Sequence, residues 1–344
     1  MNFKAKAFAI LIFFFIGTGC NLKKEVLISG RTMGTTYNIK VVTWFYKDTA
    51  ELKDKIEKRL KDVNNSMSVF IGESEISRFN AFNSQDKFII TENFLNVMTV
   101  ARRIYKLSGG AWDGTVYPLV DLWGFGRTEK EKRVPQKKEI EDHLANVGFD
   151  KIEISEKGYI AKRNPLVSLD LGSIAKGYGV DQMAEVIRNN GIINFLVEIG
   201  GEVYASGSKI DGRDWLVGIN MPYKDSLIDD IYKTVRLKNK ALATSGDYRN
   251  FFEKKGAAYS HVIDPKTGYP VKNGIVSVSV VADDCTFADG LATAIMVAGH
   301  EKGIELVERL PGVECLIVIK DKDGKLTDYF SNGFGNDEKI LFER

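Results

Sequence analysis

The sequence is short of the residues that build metal clusters and disulfides. Its 344 residues include only 3 cysteines and 3 histidines, and no C-x-x-C pair occurs. Structural zinc sites need several closely spaced Cys or His ligands, so the composition argues against this class of site. Cys285 and Cys315 lie in apolar, strand-like surroundings, which indicates buried free thiols rather than a disulfide.

The chain also lacks a strong charge of either sign. The formal net charge is +2, and removing residues 1–19 takes away Lys4 and Lys6 but no acid, which leaves a net charge of about 0. Proteins that bind nucleic acid usually carry a clustered basic face, so no nucleic-acid partner is expected. No internal repeat occurs, and the length suits one large domain or two interleaved lobes.

The N-terminal apolar run, Ala7 to Ile16, is too short to span a bilayer comfortably. It follows a short basic region and ends at Gly17-Thr18-Gly19-Cys20, a pattern typical of lipoprotein signal peptides. Residues 1–19 are therefore predicted to be a lipoprotein signal peptide, Cys20 the lipidated residue and residues 20–29 a tether. The protein would then be a bacterial lipoprotein that is anchored in a membrane and faces the periplasm or the cell exterior. An ordinary signal peptide or a single anchor helix is the alternative.

Helix-like and strand-like segments are mixed along the rest of the chain without regular alternation. Helical spacing of apolar residues predicts helices at Ala50–Asn65 and Thr91–Leu107. Strand-like runs occur at Trp215–Asn220 and Ile231–Leu237. The sequence therefore predicts an α+β fold, with mixed or antiparallel sheets and packed helices, rather than a doubly wound sheet.

A glycine-rich stretch, Ser168 to Asp181, brings together groups that suit a phosphorylated ligand. The alternating run Val167–Leu171 predicts a strand, and Ser173 is predicted to cap the helix that follows. Asp170, Ser173 and Lys176 would then meet at a helix N-terminus, which favours bound anions. The alternative is a helix that is capped for stability alone.

Three further positions are candidates for chemistry. His261 precedes a D-P-x-T-G turn and can take up a proton near neutral pH, although a structural histidine is the alternative. Asp289 and Thr293 are four residues apart on the predicted first turn of a helix, so their oxygens suit Mg²⁺; otherwise Asp289 is an N-terminal acid favoured by the helix dipole. Phe70 either stacks on a planar ligand or belongs to the core.

Eight segments, in order, resemble the ApbE family, the FAD:protein FMN transferases, across essentially all of the mature sequence. They are M-G-T-T-Y at Met33 to Tyr37, S-E-I-S-R-F-N at Ser74 to Asn80, W-D-G-T-V-Y-P-L-V-D-L-W-G-F-G at Trp112 to Gly126, L-D-L-G-S-I-A-K-G-Y-G-V-D at Leu169 to Asp181, E-I-G-G at Glu198 to Gly201, T-S-G-D-Y at Thr244 to Tyr248, S-H-V-I-D-P-K-T-G-Y-P at Ser260 to Pro270 and A-D-G-L-A-T-A at Ala288 to Ala294.

The resemblance implies an ApbE-like, T-fold-related domain over residues 30–344. It also implies Mg²⁺-dependent cleavage of the FAD pyrophosphate, with the FMN half passed to a Thr or Ser hydroxyl of a flavoprotein and AMP released. The implied partners are FAD and acceptor subunits of membrane redox complexes, on the outer side of the cytoplasmic membrane.

Carried over motif by motif, the resemblance implies roles for twelve residues. Ser173, Asp289 and Thr293 would hold Mg²⁺, and His261 would be the base near the acceptor hydroxyl. The residues that would line FAD are Met33, Phe70, Ala111, Trp112, Asp113, Asp170, Lys176 and Ile263. Two alternatives remain: a hydrolase that splits FAD into FMN and AMP with water as the acceptor, and a lipoprotein that only binds and stores FAD.

Overall fold

One antiparallel sheet of eight strands lies at the centre of the molecule. The structure is a computed structural model that describes residues 23–126, 130–223, 230–246, 251–254, 256–334 and 340–343. Its strands are β1 (Lys23–Thr32), β2 (Thr35–Trp44), β3 (Phe88–Ile89), β4 (Ile152–Ser155), β5 (Tyr159–Lys162), β6 (Asn194–Ile199), β7 (Glu202–Ser206), β8 (Trp215–Asn220), β9 (Ile231–Leu237), β10 (Lys240–Gly246), β11 (Phe251–Lys254), β12 (Ala257–Ser260), β13 (Ile275–Ala282), β14 (Glu314–Lys320), β15 (Leu326–Phe330) and β16 (Ile340–Glu343). The order in the large sheet is β1-β2-β6-β7-β10-β13-β14-β15.

Helices and three small sheets complete the fold. The helices are α1 (Ala50–Met67), α2 (Glu75–Ala81), α3 (Glu92–Leu107), α4 (Tyr117–Leu122), α5 (Lys137–Leu144), α6 (Gly172–Asn189), α7 (Cys285–Ala298) and α8 (His300–Val307), with a short 3₁₀ helix at Phe149–Lys151. The small sheets pair β11 with β12 and have the orders β16-β9-β8 and β3-β5-β4. The predicted α+β class, with antiparallel sheets packed against helices, is confirmed.

The inner strands of the large sheet pack against an apolar core on each face, and successive side chains of a strand alternate between the two cores. Val41 and Val280 pack in the larger core, which also contains buried residues of α1, α3, α6 and α7. Their neighbours Val42 and Val281 pack in a second core, with Trp215 of β8. The helices of the first core, α6 above all, carry the residues that the sequence predicts for the site.

Most predicted helices and strands are present. The predicted helix at Thr91–Leu107 is α3, which begins one residue later because the Thr91 hydroxyl accepts a hydrogen bond from the Phe94 N–H and caps it. The predicted strands Trp215–Asn220 and Ile231–Leu237 are confirmed as β8 and β9. Cys285 and Cys315 are buried free thiols, as expected, and burial raises the pKa of Cys315 to about 12.

The predicted strand at Val167–Leu171 is wrong. This segment belongs to none of the strands of the described residues. The side chain of Asn80 takes the place of a neighbouring strand, since it accepts a bond from the Leu169 N–H at 2.7 Å and donates one to the Leu169 carbonyl at 2.8 Å. Ser173 is not the helix cap either, because α6 begins at Gly172 and its N-cap is Leu171.

The predicted helix start at Asp289 is also wrong. Helix α7 begins at Cys285, because the Asp284 carboxylate accepts a bond from the Phe287 N–H at 2.8 Å and caps the helix. Asp181 of α6 accepts further bonds from the N–H groups of Cys285 and Thr286, at 2.9 and 2.8 Å. Asp289 therefore lies inside the helix, where it is no N-terminal acid.

The predicted tether, residues 20–29, is wrong for residues 23–29, because these belong to β1 and pair along their length with β2. Residues 20–22 lie outside the described residues. The predicted signal peptide, residues 1–19, and Cys20 lie outside the described residues. Within the described part of the chain, no helix combines the length and the apolar character that a membrane crossing requires. The division of the domain into two interleaved lobes stays a prediction.

The crossing of α6 and α7 at Gly177 makes the first testable prediction. A Cβ atom at Gly177 would overlap the backbone carbonyl of Cys285, so the backbone of one helix would have to shift. We expect Gly177→Ala to lower the free energy of unfolding by about 1–3 kcal/mol, measured by urea denaturation. The control is Gly72→Ala, where the added Cβ atom would meet no other described part of the chain within 4 Å, apart from its two chain neighbours. Equal stability of both variants would show that the two helices are not tightly packed here.

Candidate active site

A cavity of about 390 Å³ lies beside the start of α6 and the middle of α7. We call it the α6–α7 cavity. Ten of the twelve residues predicted for the site line it: Ala111, Trp112, Asp113, Asp170, Ser173, Lys176, His261, Ile263, Asp289 and Thr293. Residues from four distant parts of the sequence thus share one cavity.

The other two predicted residues, Met33 and Phe70, line an adjoining groove of about 480 Å³. The groove is mostly apolar, and it shares Asp170, Gly172 and Lys176 with the α6–α7 cavity. Phe70 is 74% exposed, so the alternative of a core phenylalanine is wrong. The two hollows together offer a polar space beside an apolar one.

The first turn of α6 is held in place by its neighbours. The Asp170 N–H donates to the Gly114 carbonyl at 2.7 Å, and the Asp170 carboxylate accepts a bond from the Gly172 N–H at 2.7 Å. The Trp112 indole N–H donates to the Ser173 hydroxyl at 2.9 Å. Burial raises the pKa of Asp170. Because the Ser173 hydroxyl accepts the bond from Trp112, its own proton stays available for a further acceptor.

Trp112 and Asp113 are largely occupied with supporting the loop that contains them. Asp113 accepts bonds from the Thr115 N–H and hydroxyl, at 2.8 and 2.6 Å, and from the Phe149 N–H at 3.0 Å. Trp112 is 2% exposed and packs edge-on against Phe149, with ring centroids 5.8 Å apart. Burial raises the pKa of Asp113. Both residues therefore form part of the cavity wall and hold it in place.

A buried group of charges lies at the back of the cavity. Lys176 forms an ion pair with Glu202, and the Asp289 carboxylate accepts a bond from the Gly177 N–H at 2.9 Å. Burial raises the pKa values of Glu202 and Asp289, while the nearby Lys176 ammonium lowers both. Two carboxylates against one ammonium leave an excess of negative charge when all three are ionised. Such a group attracts a cation from the cavity.

Glu202 is the residue that the sequence analysis missed. It is only 1% exposed, and its Oε2 atom has no hydrogen-bond partner among the described residues, although buried polar atoms nearly always have one. The available signal was its position: Glu202 opens strand β7, whose five residues are all buried, directly after Gly200-Gly201. A glutamate in such a strand needs a charged partner, and only the fold shows that the partner is Lys176.

The oxygen atoms of the cavity fit a magnesium ion. Asp289 and Thr293 are one helical turn apart on α7, and the Thr293 hydroxyl lies 2.9 Å from the Ser245 hydroxyl. Among the described residues, no group of three or more His, Cys, Asp and Glu side chains could hold a metal ion. One carboxylate with several hydroxyls suits Mg²⁺, which usually keeps waters and shares phosphate oxygens with its substrate.

His261 lines the α6–α7 cavity and lies directly before a tight turn. Its ring lies edge-on to Phe125, with centroids 6.3 Å apart. The turn after it is closed by a bond from the Gly268 N–H to the Asp264 carbonyl at 2.8 Å and is held by the Trp123 indole, which donates to Gly268. The predicted D-P-x-T-G turn therefore fixes the backbone near the histidine.

The fold and the cavity define the class of this protein. Flavin transferase ApbE from Vibrio cholerae superposes with a TM-score of 0.83 at 39% sequence identity, covering 91% of this chain and 99% of that chain. Pseudomonas stutzeri flavinyl transferase ApbE, in its apo form, gives a TM-score of 0.82 at 32% identity, with 91% and 96% covered. The chain thus has the fold of the flavin-transferase class of enzymes.

The sequence comparisons lead to the same class. A sequence model of the ApbE family matches residues 33–317. The FAD:protein FMN transferase of Vibrio cholerae is 41% identical over 318 residues, which are 92% of this chain and 94% of that protein. The corresponding Haemophilus influenzae protein is 38% identical over 310 residues, 88% and 89% of the two chains. This chain belongs to the ApbE family.

Proposed function

We propose that this protein transfers FMN from FAD to a Thr or Ser hydroxyl of a target flavoprotein and releases AMP. The observation that carries the proposal is the α6–α7 cavity, which brings Asp289, Thr293, Ser173 and His261 together beside an apolar groove. In the reaction the acceptor oxygen attacks the phosphorus on the FMN side of the pyrophosphate. The bond from that phosphorus to the bridging oxygen breaks, and AMP leaves with that oxygen.

The residues of the cavity divide this work among them. His261 takes the proton from the acceptor hydroxyl, because only a deprotonated oxygen attacks phosphorus readily. Asp289, Thr293 and Ser173 would hold Mg²⁺, which neutralises negative charge on the pyrophosphate when it is bound. Lys176 places a positive charge between the cavity and the groove, where both parts of a dinucleotide would meet it. The flat flavin and adenine rings require apolar contacts, which Met33 and Phe70 offer.

The assay uses the mature chain with FAD, Mg²⁺ and an acceptor domain that carries a D-G-x-[ST]-G-A-[ST] segment. Flavin fluorescence that stays on the acceptor after denaturation, and disappears with EDTA, is the expected result. An acceptor without flavin fluorescence, together with AMP and free FMN in solution, would identify a hydrolase. If no AMP formed, the protein would be a binder of FAD, and the proposed transfer would be rejected.

We further propose that the mature protein is anchored in a membrane through a lipid on Cys20 and acts outside the cytoplasm on subunits of membrane redox complexes. The pattern of residues 1–20 supports this proposal, as does the position of Cys20, three residues before the start of β1. Mass spectrometry of the N-terminal peptide from native membranes should show diacylglycerol on Cys20. An uncleaved leader, or a mature N-terminus other than Cys20, would contradict the anchor.

The charge of Glu202 makes a prediction about magnesium. Because Glu202→Gln removes one negative charge beside Asp289 and keeps the side-chain shape, we expect the Mg²⁺ concentration for half-maximal transfer to rise about tenfold. The rate at saturating Mg²⁺ should change little. Glu198→Gln is the matched control, since Glu198 lies on the adjacent strand β6 and bonds to Asn38 instead. An unchanged Mg²⁺ requirement would separate Glu202 from the metal site.

A further inference from the structure

The open end of the β1–β2 hairpin exposes three consecutive aromatic residues. Trp44 is 49% exposed, Phe45 68% and Tyr46 80%. The Trp44 and Tyr46 rings are stacked, with centroids 6.4 Å apart and planes within 9°. A row of large exposed aromatic side chains on a soluble surface marks an interaction site rather than ordinary surface.

Two lysines lie beside two of these rings. The Lys23 ammonium lies 5.5 Å from the centroid of Trp44, and the Lys24 ammonium lies 5.9 Å from the centroid of Phe45. Ile193, which is 72% exposed, comes directly before β6, the strand that pairs with β2. We call Lys23, Lys24, Trp44, Phe45 and Tyr46 the aromatic–basic end of the hairpin.

We propose that the aromatic–basic end binds the surface of a bilayer that contains anionic lipids. Tryptophan and tyrosine favour the boundary between headgroups and acyl chains, and lysines beside them attract anionic headgroups. The chain direction supports a lipid surface over a protein partner: Lys23 is three residues from Cys20, so a lipid there would bring this end to the bilayer. The proposal deepens the proposed anchoring but does not require it, because the side chains bind by themselves.

This contact would set the height of the active site above the membrane. The opposite end of the hairpin is the turn at Met33 and Gly34, which lines the groove beside the α6–α7 cavity. Strands β1 and β2 are 10 residues long each, which corresponds to about 30 Å. With the hairpin perpendicular to the bilayer, the groove would lie about 30 Å above the headgroups, and a tilted hairpin would bring it closer.

Tryptophan fluorescence tests the proposal directly. Of the 4 tryptophans, Trp112, Trp123 and Trp215 are at most 2% exposed, so a quencher in the lipid reaches Trp44 first. The protein is the mature chain with Cys20→Ser, which carries no lipid, and the vesicles contain phosphatidylglycerol and brominated phosphatidylcholine. We expect vesicles to quench the fluorescence, and vesicles without phosphatidylglycerol, or added salt, to weaken binding at least about tenfold.

Variants separate this surface from the rest of the molecule. Lys23→Gln with Lys24→Gln, and Phe45→Ser with Tyr46→Ser, should each weaken vesicle binding about tenfold or more while leaving FMN transfer to a soluble acceptor unchanged. The control is Ile89→Ser with Leu166→Ser, which removes apolar residues that are 74% and 62% exposed elsewhere. Absent quenching, equal binding to neutral vesicles, or equal losses in the control would overturn the proposal. A loss of transfer alone would concern the proposed reaction, not this surface.

Discussion

Replacement of Asp289 by asparagine is expected to slow FMN transfer at least about 10³-fold and to remove its dependence on Mg²⁺. Asparagine keeps the volume and can still accept the bond from the Gly177 N–H, so the crossing of α6 and α7 stays intact. What it loses is the charge that binds the metal. A metal ion that neutralises a reacting phosphate contributes several kcal/mol to the transition state, and about 4 kcal/mol corresponds to 10³-fold in rate.

The same substitution five residues earlier provides the control. Asp284→Asn changes the N-cap of the same helix, and asparagine caps helices about as well as aspartate. It should transfer FMN within about twofold of the unaltered protein, with melting temperatures of the two variants compared by calorimetry. Mg²⁺-dependent transfer that survives in Asp289→Asn would place the metal elsewhere.

The raised pKa of Asp289 adds a pH dependence with a defined sign. Its carboxyl group binds Mg²⁺ only when ionised, and burial raises the pKa of this group, while Lys176 opposes the shift. Protonation at acidic pH therefore competes with the metal. The Mg²⁺ concentration needed for half-maximal transfer should rise as the pH falls, and titrations of Mg²⁺ at several pH values measure it.

Local sequence patterns predicted the secondary structure wherever the spacing of apolar residues along the element determines it. The period of apolar residues located α3, and a strand-like run located β8, because each of these elements buries a face against one of the two cores. The failures have a different cause. Val167–Leu171 alternates like a strand, but the backbone N–H and carbonyl of Leu169 bond to the side chain of Asn80, which is 89 residues away. No local pattern carries that information.

The candidate site shows the same division between local and distant information. Its oxygen and nitrogen groups were recognisable as motifs, and the fold brings ten of the predicted residues to one cavity. The electrostatics of that cavity depend on a pair that is 26 residues apart in the sequence, Lys176 and Glu202. The two meet because β7 enters the sheet beside α6. The sequence alone left Lys176 without this partner, and the position of Glu202 directly after Gly200-Gly201 did not show that the two residues meet.

Replacement of His261 by alanine is expected to leave FAD bound and to slow transfer by about 10²–10⁴-fold. The imidazole removes a proton from the acceptor, and general-base catalysis typically contributes a factor of this size. The proposed FAD contacts come from other side chains of the α6–α7 cavity and from the apolar groove, so the His261 imidazole is not needed for binding. Binding is measured by the quenching of FAD fluorescence, and transfer by the flavin that stays on the denatured acceptor.

The two remaining histidines provide matched controls, because neither lines the cavity. His143 lies on α5 with its Nδ1 atom 2.7 Å from the Glu139 carbonyl, and His300 packs against Tyr329. Alanine at either position should leave transfer within about twofold. Unchanged transfer in His261→Ala would remove the histidine from the mechanism, whereas lost FAD binding would make it a ligand of the dinucleotide. If His261 is the base, raising the pH should partly restore the variant, because more of the acceptor hydroxyl then ionises without help.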